Sequence, residues 1–166
     1  VEVTNVRLLY YFGLAIVVVI IDQWSKWLIV KYMQVGQSIE IVPNLLYLTS
    51  HRNKGAAWGM LQGQLWLFYI LTVIVVIGII YYMVKYGKDK TLQSIGFSFI
   101  LGGAIGNFLD RFFRKEVVDF IHTYIFHYDF PIFNFADSSL TIGVVLLIIA
   151  LLLEDRRERQ KANGTN

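Results

Sequence analysis

Long uncharged runs separated by short charged clusters dominate the chain, and they set the expected elements before any motif is considered. Crossing the hydrocarbon core of a bilayer takes roughly 20 mainly apolar residues. Four segments meet that requirement or come close: about 8–30, interrupted by Asp22 and Lys26, then 64–84, 91–109 and 138–153. The last is short and has to use its flanking residues to reach the interfaces. Arg7 precedes an apolar stretch, so a signal peptide is weighed for the first segment. No small-residue cleavage site follows and Asp22 interrupts the run, so the segment is expected to stay as a span. Between the first two runs the helical pattern stops. Ser38 to Ser50, SIEIVPNLLYLTS, mixes β-branched residues with the turn signal Pro43-Asn44. A β-rich segment over about 36–60, lying at the membrane surface, is expected there. The tail Arg156–Asn166 reads as a solvated helical extension.

Composition agrees with this pattern and removes several classes of function. Apolar residues make up 56% of the 166 and charged residues 16%, where a soluble domain carries about 25% charged. Mean hydropathy is +0.55. The chain is therefore read as one integral membrane domain over 1–166. With no cysteine, structural disulfides, thiolate metal sites and thiol nucleophiles are excluded. The net charge of +3 is spread between apolar runs, which fits membrane flanks better than a nucleic-acid surface, so no nucleic-acid partner is expected. Lysine and arginine favour cytoplasmic loops. The turn Lys85–Lys90 carries three lysines and the tail EDRRERQK four basic residues. Both termini and this turn are thus expected inside, although Lys31, Arg52, Lys54, Arg111, Arg114 and Lys115 make the bias modest. By parity, segments 31–63 and 110–137 share the outer face.

The polar groups within or beside the spans carry the candidate chemistry. Asp22 and Lys26, four apart on helix 1, face the same way, and a salt bridge locking the helix into a bundle is the favoured reading, with proton transfer as the alternative. In GGAIGNFLDR, residues 102–111, Gly102 and Gly106 form a G-x-x-x-G pair suited to close helix approach. Asn107, Asp110 and Arg111 follow where the span ends, as an interfacial polar cluster. Asp119 lies in VVDF, an apolar setting that resists ionisation, and Asp137 lies in FNFADSSL behind Asn134. Brought together, two such carboxylates share one proton, and one can activate water while the other donates to a scissile carbonyl. Spacing alone leaves room for a structural network at Asp119 and a helix-terminal charge at Asp137. His51, His122 and His127 lack metal-ligand spacing, so neither zinc nor another metal is expected. Ser138 and Ser139 have no G-x-S-x-G elbow to make a serine hydrolase with His122.

Taken in order, DQWSK (22–26), NKGAAWG (53–59), GGAIGNFLDR (102–111), VVDFI (117–121) and FNFADSSL (133–140) resemble the lipoprotein signal peptidase family, the bacterial signal peptidase II intramembrane aspartyl peptidases. The resemblance implies a mainly α membrane fold of four transmembrane helices, with an outer-face β-cradle between helices 1 and 2. It implies an endopeptidase that removes signal peptides from diacylglyceryl-modified prolipoproteins just before the lipidated cysteine, in the bacterial cytoplasmic membrane, without a cofactor. The catalytic dyad falls on Asp119 and Asp137. Asn53, Asn107, Arg111 and Asn134 match polar positions that line the site and hold substrate backbone or lipid, while Asp22, Lys26 and Asp110 match supporting residues. Gly55, with Ala56 and Ala57, lets backbone approach substrate closely. Trp58 and Phe135 stand where other aromatic or aliphatic residues are common. The expected partners are lipid-modified prolipoproteins and membrane lipids, with the enzyme as a monomer. Two rival classes remain at this stage: a small proton-coupled transporter, with the acids and Lys26 as its relay, and a structural membrane protein.

Overall fold

The computed structural model describes residues 2–55, 60–87, 89–126 and 128–163; Ala56, Ala57, Trp58 and His127, named above, lie outside them. Helix α1 runs Glu2–Tyr32, α2 Leu65–Tyr86, α3 Thr91–Arg114 and α4 Phe135–Asn163. All four are long and apolar enough to cross a membrane. Strands β1 (Ser38–Val42) and β2 (Leu46–Asn53) follow α1, and β3 (Val117–Ile125) and β4 (Tyr128–Asp129) follow α3.

Helix α3 is central. Half of its most apolar window is buried, against 22% for α1 and α4 and 11% for α2, whose other faces are apolar and turned outward, as in helices solvated by lipid. Small residues make this centre possible. A Cβ on Gly102 would sit 2.6 Å from the Val18 side chain, and one on Gly106 would sit 2.5 Å from Asp22 Oδ2, so both members of the G-x-x-x-G pair face α1. On the opposite side Gly96 and Gly143 bring α3 and α4 into backbone contact. Close approach of this kind gains dispersion contacts where lipid supplies no hydrophobic driving force. Tyr11, Ala15, Ile79, Met83 and Leu101 fill the space between α1, α2 and α3.

The four strands form one antiparallel sheet in the order β1-β2-β3-β4. The Pro43-Asn44 turn forms as the sequence predicts: Leu45 N–H bonds Val42 O at 3.1 Å, with Asn44 at φ 57°. Such a φ is tolerated by asparagine, and proline before it presets the turn. The sheet is not confined to the segment between α1 and α2, because half of its strands come from the segment between α3 and α4. Ile29 and Met33 at the end of α1 pack under Val118 and Phe120 of β3, which seats the sheet on the bundle.

Helix ends differ from the apolar spans. α3 continues past Leu109 to Arg114, so Asp110, Arg111 and Arg114 remain helical. α4 starts at Phe135 and not at Ser138, and it carries the charged tail to Asn163 as helix.

Candidate active site

The start of α4 is a capping box with an aspartate at its third position. Asn134 Oδ1 accepts the Asp137 N–H at 3.0 Å, and Asp137 Oδ2 accepts the Asn134 N–H at 3.2 Å. Each side chain satisfies a backbone donor that a helix start leaves free. The other end of the Asn134 amide reaches across the site. Its Nδ2 donates to Asp119 Oδ1 at 2.6 Å and to Asn107 Oδ1 at 3.2 Å. Asn107 Nδ2 in turn donates to Asp137 Oδ1 at 2.8 Å. One asparagine thus touches both aspartates, and a second ties Asp137 to α3.

Asp119 is held from the neighbouring strand as well. Asn53 Nδ2 donates to its Oδ2 at 3.0 Å, and Asn53 Oδ1 takes the Gly55 N–H at 2.9 Å. His51 is its cross-strand partner. Burial and then the nearby charge of Asp137 push the Asp119 carboxyl up to about 7, against the opposing effect of the Asn53 and Asn134 hydrogen bonds and the Lys26 charge. A buried carboxyl facing a second one is the arrangement in which a single proton is shared.

Below the pair lies a closed polar cluster. Lys26 Nζ meets Asp22 Oδ2 at 2.9 Å, Asp110 Oδ2 at 3.1 Å and Asn107 Oδ1 at 3.0 Å, and all three charged side chains are fully enclosed. Asp22 Oδ1 accepts the Ala136 N–H at 2.9 Å, and Asp110 Oδ2 accepts the Val118 N–H at 3.1 Å. Asp22 therefore holds the start of α4 and Asp110 the start of β3, one residue from Asp119. Arg114 closes on Asp110 Oδ1 at 2.6 Å. Gln23, which the sequence reading passed over within DQWSK, donates towards Asp22 Oδ2, Gly106 O and Asp110 Oδ1. Among the described residues, every enclosed side-chain nitrogen and oxygen has a partner, the condition under which buried charges persist.

Arg111 meets this cluster only at the backbone, where Nη1 donates to Asn107 O at 3.4 Å. Its guanidinium lies over the Phe68 ring, 4.3 Å from the centroid, and Nη2 donates to Gly55 O at 3.1 Å. Tyr69 of α2 bonds the Arg111 carbonyl at 2.8 Å. Phe68 and Tyr69 had no signal in the sequence beyond being aromatic in an apolar run. The simple pairing of Arg111 with Asp110 does not occur, since Lys26 and Arg114 occupy Asp110.

Asp119, Asp137, Asn53, Gly55, Asn107 and Arg111 all line one groove of about 1310 Å³. Helices α2 and α4 contribute apolar lining, with Leu71, Val75, Leu140 and Ile142, whereas the sheet side adds polar groups, with His51, Arg52, Lys54 and His122, beside apolar ones such as Val117 and Phe133. Asp129 belongs to β4 and faces His122 Nε2 at 2.7 Å. Burial, then Arg52 and His122, hold His51 below the usual imidazole range. Among the described residues no group of three or more His, Asp or Glu is placed to hold a metal ion.

The sequence profile described as "Signal peptidase (SPase) II" matches residues 14–153. The chain belongs to the signal peptidase II family. The lipoprotein signal peptidase of Anoxybacillus flavithermus is 57% identical over 156 residues, covering 94% of this chain and 93% of that one. The lipoprotein signal peptidase of Geobacillus thermodenitrificans is 63% identical over 143 residues, covering 86% and 89%. Among solved structures, a bacterial membrane enzyme determined by the in meso method at 2.3 Å resolution superposes with a TM-score of 0.83 at 49% identity, covering 88% of this chain and 89% of that one. A multi-pass membrane peptidase of the signal peptidase II family accommodates the four helices, the small sheet and the groove together.

Proposed function

We propose that this chain is an intramembrane aspartyl endopeptidase that removes signal peptides from diacylglyceryl-modified prolipoproteins, cleaving just before the lipidated cysteine. The observation that carries the reading is the buried Asn134, whose amide reaches Asp119 and whose backbone N–H is held by Asp137, so that both carboxyls open onto one groove of mixed apolar and polar lining. The relatives' common name, lipoprotein signal peptidase, supports the substrate class. The enzyme acts as a monomer in the bacterial cytoplasmic membrane. Its termini face the cytoplasm with the lysine-bearing α2–α3 turn, and its sheet and groove face outward.

The signal helix lies along the apolar lining of α2 and α4, and the acyl chains share that side with membrane lipid. The mature segment leaves along the sheet side. Asp119 holds the shared proton and donates it to the scissile carbonyl oxygen. Asp137 removes a proton from water as the water oxygen bonds to the carbonyl carbon. In the tetrahedral intermediate, one hydroxyl returns its proton to Asp119 as the carbonyl reforms. The C–N bond breaks, and the cysteine nitrogen takes the proton from Asp137. The signal peptide leaves as a carboxylic acid and the lipidated cysteine as a free amine, with the dyad restored. Asn53 and Asn134 orient Asp119, Asn107 orients Asp137, and Arg111 holds Gly55, just after β2, where that segment meets substrate. Asp22, Lys26 and Asp110 fasten α1, α3, α4 and β3 around the dyad.

A diacylglyceryl-modified lipobox peptide in detergent, read by mass spectrometry, tests the proposal. Asp119→Asn and Asp137→Asn should each lower turnover by at least about 10²–10⁴-fold, whereas Asp89→Asn, on the α2–α3 turn, should not. Near-normal turnover by either dyad variant at equal expression would sink the assignment.

A further inference from the structure

Asn107 is constrained from three directions. Its Oδ1 accepts from Lys26 Nζ at 3.0 Å and from Asn134 Nδ2 at 3.2 Å, and its Nδ2 donates to Asp137 Oδ1 at 2.8 Å. A side-chain amide is an acceptor at one end and a double donor at the other. Turned by half a rotation, Asn107 would set its NH₂ against the Lys26 ammonium and the Asn134 NH₂, and its oxygen against the Asp137 carboxylate. An ammonium has donors only and cannot adapt to that arrangement.

Charge balance does not require this contact. Asp22 and Asp110 already flank Lys26, and Arg114 takes the remaining oxygen of Asp110. Two cations and two anions close the cluster by themselves. The third bond of Lys26 goes to a neutral amide, and that amide is the one aimed at the dyad. The charged groups around it are Asp22 from α1, Asp110, Arg111 and Arg114 from α3, Asp119 from β3 and Asp137 from α4, with Tyr69 from α2 on the Arg111 carbonyl.

We propose that Lys26 is a positioning residue for the dyad: through Asn107 it directs an amide N–H at Asp137 and so keeps the ionised carboxyl of the pair on α4 and the proton on β3. This rests on the aspartyl reading above. Lys26 touches neither substrate nor either aspartate of the dyad. Its effect is on which of two carboxyls acts as base, a property that bundle stability alone would not alter.

The test is the double variant Asp22→Asn/Lys26→Gln. It keeps hydrogen-bonding side chains in place, removes one anion with one cation, and leaves the Asp110–Arg114 pair intact. The folded variant should show kcat lowered by about 10- to 100-fold, the scale of a small misplacement of a reacting group, with KM for the lipidated peptide little changed. The basic limb of its pH profile should also shift, because the Asn107 N–H that favours the ionised carboxyl of the pair is no longer held in place. In an Asn107→Ala background the same two changes should cost nothing further in kcat. If the first pair does not fold, Lys26→Gln/Asp110→Asn tests the same loss with the other anion removed. Wild-type kcat and pH profile in either folded pair, or losses that multiply with Asn107→Ala, would overturn the proposal. Asp119→Asn measured alongside separates the two failures. An active Asp119→Asn defeats the aspartyl reading itself, whereas an inactive one beside an unimpaired Lys26 variant defeats only the role of Lys26.

Discussion

Asn53 donates to Asp119 from the adjacent strand, and this bond favours the ionised carboxylate and opposes the effect of burial. If turnover needs Asp119 protonated, activity falls as the pH rises through about 7, the value to which burial and Asp137 raise it. Removing a donor to the charged form raises the carboxyl further. Asn53→Ala should therefore carry its activity to higher pH, moving the basic limb of kcat upward by about one to two units, the worth of one hydrogen bond to a charged group. A limb that moves down in an active variant would mean that Asp119 serves as the base. His51 does not account for this limb, because burial, then Arg52 and His122, hold it below the usual imidazole range.

At the scale of elements, the α1–α3 contact is set by a missing side chain. Gly106→Ala would place a methyl 2.5 Å from Asp22 Oδ2, which is not free to swing aside because Lys26 and the Ala136 N–H hold it. Overpacking of this kind costs about 1–3 kcal/mol. The thermal midpoint in detergent should fall accordingly, while Gly13→Ala, facing open space, should leave it nearly unchanged. The G-x-x-x-G pair was legible in the sequence because its spacing is local, and so were the four spans and the Pro43-Asn44 turn. Strand β3 was not identified: VVDF was noted only as apolar surroundings for Asp119. Val117 to Phe120 are all buried, so no alternation marks them as strand. Their pairing partner is β2, more than 60 residues earlier. The start of α4 was misplaced because uncharged residues were counted from Ser138, whereas the N-x-x-D capping box begins the helix before its carboxylate. Charge likewise marks the end of the α3 span but not the end of the α3 helix, since Asp110–Arg114 is an i, i+4 pair that continues it. The aspartates themselves were visible, as residues and through a family resemblance. The link from Lys26 to Asn107 was not, because it joins positions 81 residues apart.

Across the whole molecule, polar contacts gather at two ends of the bundle. Opposite the groove, Glu154 receives Lys90 Nζ at 2.6 Å and Gln93 Nε2 at 2.9 Å, and Tyr82 bonds Gln93 in turn. This joins the tail of α4 to the start of α3. The Lys90–Glu154 pair is more than a third exposed on both sides, so Glu154→Gln should leave the thermal midpoint in detergent nearly unchanged. It should leave kcat/KM for the lipidated peptide unchanged, and a loss of catalysis would show that the two ends are coupled through the bundle. The groove end has the opposite character, because Asp22 on the first helix accepts the Ala136 N–H at the beginning of the last. A nascent chain delivers its segments in order, and Asn134, Ala136 and Asp137 come after every other member of the hydrogen-bond network around the dyad. On the proposed aspartyl mechanism, proteolytic competence is therefore acquired only with the final stage of membrane insertion. A half-made molecule among other membrane proteins then has no cutting edge to expose.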